Sequence, residues 1–461
     1  MLELYTLMED SMARLFGTDG VRGVVNEFLT PELAYHLGRA GATYFGKEKE
    51  KPTFLVGSDT RISSPMLESA LAAGICAAGG NVVMAGTLPT PAVAYLVRTE
   101  GFDAGVMISA SHNPFPDNGI KFFDGNGFKL PDDVEDQLEA YVHESANNEL
   151  PRPTGNGIGT IEVKMDLVRH YGEFVRSTVH TSLEGLTIVY DGANGAASAI
   201  GPDILTGLGA NVIAINIDPD GSNINRQCGS THLEGLQEAV KVHNADLGIA
   251  NDGDADRCLL VDENGNILDG DQIMLLCALK LKEECKLTDD TIVGTVMSNI
   301  GFHKAAEELG METVSTAVGD RYVLEYMREH NFSIGGEQSG HVIFLDYNTT
   351  GDGMLTAVQV AALVKEKGKP LSELAGIMTK YPQVLINVRV ATKTGWDSND
   401  IIKAAIVTAE GELGDEGRVL VRASGTEPLI RVMAEGPNLE ELQALTQEIA
   451  DIIGREQGLA E

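Results

Sequence analysis

The apolar positions of this chain fall into short blocks separated by glycine-rich turns, and the blocks recur in one order. Phe54-Leu55-Val56-Gly57-Ser58-Asp59 reads as a buried strand. A helix is predicted from about Ser64, with Pro65 in its first turn, where a missing N–H costs nothing. It should end near Gly79-Gly80, and Asn81-Val82-Val83-Met84 reads as a second strand. The same order returns at residues 187–191, a helix, a glycine turn at 207–210 and a strand at 211–214. It returns again at 291–296, with a helix from about Asn299, a glycine turn at 309–311 and a strand at 312–314. Strand, helix, glycine, strand is a βαβ unit. Three copies predict three related α/β domains.

The last stretch has a different rhythm. Residues 383–390 alternate like a half-exposed strand. Residues 418–422 and 429–433 read as further strands, and 438–453 have helical periodicity. A small α+β domain is predicted there. The expected division is an N-terminal extension 1–11, then 12–165, 166–265, 266–382 and 383–461. Met12 is a candidate second start, so residues 1–11 are expected to be dispensable.

Composition changes the picture in three places. At 461 residues the chain exceeds one core and suits three or four domains. Lys+Arg total 34 against 68 Asp+Glu, a net charge of −34. That balance argues against a nucleic-acid or anionic-membrane binder, and it requires any site for an anion to carry its own local cations. Cys76, Cys228, Cys258, Cys277 and Cys285 form no C-x-x-C pair, so neither disulfides nor zinc are expected and a reducing cytoplasm is. The first ten residues have no basic start and no long apolar core, unlike a signal peptide. The small-residue stretch around 70–78 is broken by glycines and reads as a packed helix, not a membrane span.

Six segments carry candidate chemistry. Ser111 lies in Ser109-Ala110-Ser111-His112-Asn113-Pro114, just after the apolar run 104–108. A strand end holds a side chain rigidly, which suits a serine that takes and gives a phosphoryl group. His112 reads either as a general acid–base or as a loop-fixing group. Lys121 is expected to assist proton transfer if desolvation lowers its pKa. Asp252-Gly253-Asp254-Ala255-Asp256-Arg257 follows a second apolar run. Its three carboxylates would face one way on an extended backbone, and clustered hard oxygens suit Mg²⁺. An EF-hand is the rival, but Arg257 stands where that loop needs glycine and a strand-like run precedes it. Arg257 also suggests a site that sees anionic oxygens.

Arg422-Ala423-Ser424-Gly425-Thr426-Glu427-Pro428, with Arg431 beyond, combines arginines, hydroxyls and free N–H groups near a glycine, as a phosphate dianion requires. Gly336-Glu337-Gln338-Ser339-Gly340-His341 mixes a carboxylate, an amide, a hydroxyl and an imidazole able to contact sugar hydroxyls. Gly319-Asp320-Arg321 is a weaker signal. Phe16-Gly17-Thr18-Asp19-Gly20-Val21-Arg22-Gly23 is a glycine-rich loop without the Gly-Lys-Ser/Thr of a P-loop, and Arg22 could support a phosphorylated Ser111.

Together these segments resemble, in order from about residue 13 to 455, the α-D-phosphohexomutase family, and within it the branch acting on glucosamine phosphates. The glucose and mannose branch usually has Met where Gln338 stands. The resemblance implies three related mixed-sheet α/β domains and a C-terminal α+β domain around a central cleft. It implies Ser111 as a phosphoserine that, with Asp252, Asp254 and Asp256, holds one Mg²⁺. Glu337 and Ser339 would contact sugar hydroxyls. Arg257 is counted with them on the substrate side. Arg422, Ser424, Gly425, Thr426 and Arg431 would grip the non-reacting phosphate. Arg22, His112 and Lys121 would surround the transferring group, with Lys121 the better base candidate. The implied reaction interconverts glucosamine 6-phosphate and glucosamine 1-phosphate through glucosamine 1,6-bisphosphate, in a cytoplasmic enzyme with no nucleic-acid or membrane partner, and the resemblance suggests a homodimer. A tail domain swinging about residues 379–383 would close the cleft. A Mg²⁺-dependent sugar phosphatase and a non-enzymatic sugar-phosphate sensor are the alternatives from other classes.

Overall fold

The computed structural model describes residues 14–17, 19–424 and 427–458. The expected extension 1–11 and Met12 lie outside them. The first sheet contains β1 (Val21–Val24), β2 (Thr53–Ser58), β3 (Asn81–Thr87), β4 (Ala104–Ile108), β5 (Asp117–Asp124) and β6 (Ile161–Val163), in the order β1-β5-β4-β2-β3-β6. The second contains β7 (Thr187–Asp191), β8 (Asn211–Ile215), β9 (Leu247–Asn251), β10 (Cys258–Asp262) and β11 (Ile267–Leu268), in the order β11-β10-β9-β7-β8. The third is β12 (Thr291–Thr295), β13 (Glu312–Thr316), β14 (Ile334–Gly336) and β15 (Val342–Phe344), ordered β13-β12-β14-β15.

One motif is common to all three. The strand orders β3-β2-β4-β5, β8-β7-β9-β10 and β13-β12-β14-β15 are the same topology. In each, the fourth strand turns back antiparallel on the third, as β4 with β5, β9 with β10 and β14 with β15. The inner strands are buried along almost their whole length, which is why they read as continuous apolar runs and not as alternating ones. The three antiparallel turns carry, respectively, Ser111, the Asp252–Asp256 cluster and the Glu337–His341 segment. The mixed-sheet α/β fold expected from the sequence is therefore observed.

The tail sheet is β16 (Gln383–Arg389), β17 (Arg418–Ala423) and β18 (Leu429–Glu435), antiparallel in the order β16-β18-β17. Helices Asp400–Leu413 and Leu439–Gln457 bury one apolar side each against it, among them Ile402, Ala409, Leu442, Ile449 and Ile453.

By packing, the chain forms two compact units. The first comprises the described residues through Val296 together with Val314–Ala375. The second comprises Met297–Thr313 and the described residues from Gly376 onward. Helix Ile300–Glu308 thus goes with the tail sheet. Buried Glu435 accepts hydrogen bonds from Ile300 N (3.0 Å), Arg418 Nε (2.8 Å) and Gln383 Nε2 (3.0 Å). Asn299 caps the helix at Gly301 N (3.0 Å) and accepts from Tyr381 N (3.0 Å). Among the described residues no helix is long and apolar enough to cross a membrane.

Candidate active site

Ser111 stands three residues past the end of β4, at φ 52°. A non-glycine residue there carries strain of roughly 1–3 kcal/mol, so the surroundings must hold it. Arg61 is the main holder. Its buried guanidinium donates to the carbonyls of Ser111 (3.0 Å), Asn113 (2.8 Å), Pro114 (2.5 Å) and Asp117 (3.0 Å), and Nε pairs with Asp59 (2.9 Å). Asn225, from the second sheet's domain, donates to Ser111 O at 2.8 Å. Ser109 is a scaffold serine. Its hydroxyl donates to Asp59 Oδ2 (2.6 Å) and accepts from Ser111 N (2.9 Å). Of these two serines, Ser111 is the one that points its hydroxyl at the acidic loop, donating to Asp252 Oδ2 at 2.5 Å.

Asp252, Asp254 and Asp256 are all buried, with candidate ligand oxygens within 4.8 Å of one another. The extended backbone expected from their alternate spacing is not what brings them together. The loop is a turn, with Ala255 N bonded to Asp252 O (3.1 Å) and Ala255 left-handed at φ 55°. A six-residue connection between antiparallel strands must reverse direction, so convergence comes from the turn. Gly253 is required for the approach: a Cβ there would lie 2.5 Å from Ser111 O. Burial raises the Asp252 pKa well above the carboxylate range, and Asp256 and Asp254 add to the effect. Oδ1 of Asp254 and of Asp256 are buried with no hydrogen-bond partner. Crowded, unsatisfied carboxylate oxygens of this kind fit a divalent hard cation.

Lys121 is buried and lies 2.8 Å from Asp254, 3.0 Å from Asp19 and 4.0 Å from Asp256. The expected lowering of its pKa is reversed. Burial pushes it down, but Asp19 and Asp254 outweigh that and raise it. With no cation on the aspartates, the balance favours the ammonium form of Lys121, opposite to the lowering expected from desolvation alone. His112 behaves oppositely. Burial, then Arg257 and Arg22, lower it to about 4, and its Nδ1 lies 3.3 Å from Ser111 Oγ. Arg22 pairs with Asp19 and feels Asp254 and Asp256, while its Nε has no partner. Arg257 Nε is likewise buried without a hydrogen-bond partner and forms a long ion pair, at 4.0 Å, with Asp256.

The Glu337–His341 turn belongs to the same unit. Glu337 Oε1 accepts from Gly319 N (3.1 Å), and Gln338 donates to Asp271 (3.3 Å). Ser339 Oγ and both ring nitrogens of His341 are buried without hydrogen-bond partners. Glu337 contributes to the raised pKa of Arg257, so the two segments share one electrostatic neighbourhood.

In the second unit, Arg422 and Arg431 are directly opposed across β17 and β18. Like charges facing across a ladder repel. Burial and then Arg431 lower the Arg422 pKa, and Arg431 Nε is buried and unpartnered. Ser424 Oγ accepts from Glu427 N at 3.2 Å. Arg431 Nη2 also lies 3.6 Å from Glu427 Oε2. Gly425 and Thr426 lie outside the described residues.

Sequence reading missed several participants. Asp19 binds Arg22, Lys121 and Lys129 together, and those three charges overcome burial to hold it well below the carboxylate range. Thr90 donates to Asp254 Oδ2 (2.6 Å). Arg61 follows a predicted strand end in Asp59-Thr60-Arg61, a signal that was present but not distinctive.

Known proteins match this chain over nearly its full length. Profiles of the phosphoglucomutase/phosphomannomutase family match as its alpha/beta/alpha domains I (residues 13–149), II (167–265) and III (269–381) and its C-terminal domain (385–452). A Symbiobacterium thermophilum protein named phosphoglucosamine mutase is 56% identical over 96% of this chain and 100% of its own length. One of the same name from Brevibacillus brevis is 54% identical over 96% and 99%. A phosphoglucomutase/phosphomannomutase family protein from Burkholderia thailandensis shares the fold with a TM-score of 0.82 at 23% identity, over 98% of this chain and 99% of that one. Aspergillus fumigatus N-acetylphosphoglucosamine mutase, solved in complex with GlcNAc-6P and magnesium, aligns with a TM-score of 0.70 at 19% identity, over 97% and 96%. With its four modules in order and relatives above half identity over nearly full length, this chain belongs to the phosphoglucomutase/phosphomannomutase family.

Proposed function

We propose that this chain is a phosphoglucosamine mutase, an isomerase interconverting glucosamine 6-phosphate and glucosamine 1-phosphate. The observation that carries this reading is the strained Ser111 hydroxyl held against Asp252 at the edge of a cluster of three buried carboxylates, in a chain above 50% identical to proteins of that name. Ser111, as phosphoserine, transfers its phosphoryl group to the sugar 1-hydroxyl. The Oγ–P bond breaks as the P–O1 bond forms, giving glucosamine 1,6-bisphosphate. The bisphosphate turns over within the site, and its 6-phosphoryl group returns to Ser111, releasing glucosamine 1-phosphate.

Each residue has a separate task. Asp252, Asp254 and Asp256, with an oxygen on Ser111, would hold Mg²⁺, which supplies charge neutralisation for the transferring group when bound. Lys121 and Arg22 add fixed positive charge around Ser111, and Lys121 as an ammonium can return a proton to the serine oxygen. Neutral His112 is the acceptor suited to take the proton of the attacking hydroxyl. Glu337, Ser339 and Arg257 read the sugar. Arg422, Ser424, Gly425, Thr426 and Arg431 grip the distal phosphate, whichever end of the sugar bears it. Domain limits at 165, 265 and 382, and a cytoplasmic dimer, belong to the same proposal.

A substrate panel tests it. With Mg²⁺ and a sugar-bisphosphate activator, glucosamine phosphate should isomerise faster than glucose or mannose phosphates. Preference for the latter would move the chain to the phosphomannomutase/phosphoglucomutase branch. Release of inorganic phosphate without isomer would make it a phosphatase.

A further inference from the structure

We propose that Lys129 is a positioning residue that couples the sugar-reading turn to the phosphoryl-transfer cluster through Asp320. The inference rests on the mutase reading above and deepens it. Lys129 Nζ donates to Asp19 Oδ1 (2.5 Å) and Asp320 Oδ2 (2.6 Å). Asp19 belongs to the loop of Arg22, and its other oxygen holds Arg22 and Lys121. Asp320 opens helix Asp320–His330 beside the sugar-reading turn. The neighbouring Gly319 N–H donates to Glu337, and His341 Nε2 lies 3.6 Å from Asp320 Oδ2. One ammonium therefore joins the two halves of the chemistry.

The turn carrying Lys129 is anchored on both sides. Phe128 packs against the third sheet's core of Val293, Leu324 and Met327, with the Arg328 guanidinium 3.8 Å from its ring centre. Thr349 Oγ1 donates to Gly127 O (2.5 Å) and Arg321 to Leu130 O (2.7 Å). Lys129 is thus a fixed post that sets where Asp320, and with it the reading turn, can sit.

The two carboxylates depend on Lys129 unequally. Asp19 keeps Lys121 and Arg22 when Lys129 is removed. Asp320 keeps, among the described residues, only the imidazole of His341 at 3.6 Å. Loss of Lys129 should leave Ser111 chemistry nearly intact and release the sugar-reading side, with Asp320 drawn onto His341.

The experiment compares Lys129→Met, Lys129→Arg, Asp320→Asn and the double variant Lys129→Met/Asp320→Asn. Charging of Ser111 by glucose 1,6-bisphosphate with Mg²⁺ is read by intact mass, and kcat and KM are measured on glucosamine 1-phosphate. In Lys129→Met and in Asp320→Asn, KM should rise about tenfold or more while Ser111 charging stays within about threefold. Lys129→Arg, whose fork can span both carboxylates, should restore most of the KM. The double variant should be no worse than the weaker single, because both substitutions cut one link. If Lys129→Met fails to fold, the double variant leaves no unpaired charge on Asp320 and carries the comparison. An unchanged KM, charging that falls in parallel with turnover, or effects that multiply in the double variant would overturn the inference. A wild-type protein that neither charges Ser111 nor turns over glucosamine 1-phosphate would instead overturn the mutase reading.

Discussion

The Ser111 hydroxyl and the Asp252 carboxylate meet at 2.5 Å although they lie 141 residues apart, on equivalent turns of two sheets of the same topology. A serine at the first such turn and a carboxylate cluster at the second become one site because a glycine, Gly253, lets the turns touch.

The two serines of the first turn should separate cleanly. Ser111→Ala should lose both the covalent phosphoryl group and turnover. Ser109→Ala should keep the phosphoryl group and lose about 1–2 kcal/mol of stability, because Asp59 and Ser111 N lose one buried partner. Intact mass and thermal melts decide it. A phosphoryl group retained in Ser111→Ala would end the phosphoserine assignment.

Metal binding should show a pH signature. In the metal-free protein Asp252 has a folded pKa raised above its unfolded value. Such a group is ionised more easily when unfolded, so stability falls as pH rises from its unfolded pKa toward the folded one. A cation replaces that proton. The Mg²⁺-induced rise in Tm should therefore be larger near pH 8 than near pH 5, and Asp252→Asn should flatten the difference. Equal shifts at both pH values would contradict the assignment of Asp252 as a ligand.

The arginine pair of the tail sheet should matter to ligand and not to folding. Arg431→Ala should raise KM for glucosamine phosphate by roughly 10- to 100-fold, the value of one or two charge-assisted hydrogen bonds. Stability should change little, because relief of the repulsion between Arg422 and Arg431 offsets loss of the weak, exposed Arg431–Glu427 pair. A drop in Tm with unchanged KM would assign the pair a structural role.

His303 gives the second unit its own pH dependence. Burial, then Arg418, lower its pKa from 6.5 to about 4. Its neutral ring bonds Thr313 Oγ1 at 2.8 Å. A histidine with a depressed folded pKa binds its proton more readily when unfolded, so stability is lost as pH falls from 6.5 to about 4. His303→Gln should remove that slope in urea titrations across this window. An unchanged slope would assign it to other groups.

Contiguous residues made much of this protein legible in its sequence. The strand–helix–glycine–strand blocks lie where the apolar pattern puts them, because a strand buried on both faces must be apolar throughout. Ser111 and the three aspartates stood out because each group sits in one short turn, and the Arg422–Arg431 pair because it flanks another on adjacent strands. Tertiary structure alone decided the rest. Asp19, Arg61, Lys129 and Asp320 gain their roles from partners that no local spacing announces, such as Lys129 and Asp320, 191 residues apart. The sign of the Lys121 shift also depended on distant charge. Desolvation is legible wherever a lysine sits next to an apolar run, but Asp19 and Asp254 reach Lys121 only in the folded chain, and opposite charge at 2.8–3.0 Å outweighs burial. A sequence specifies which groups are present and how they space along an element. Folding specifies which charges share a low-dielectric neighbourhood, and there the chemistry is set.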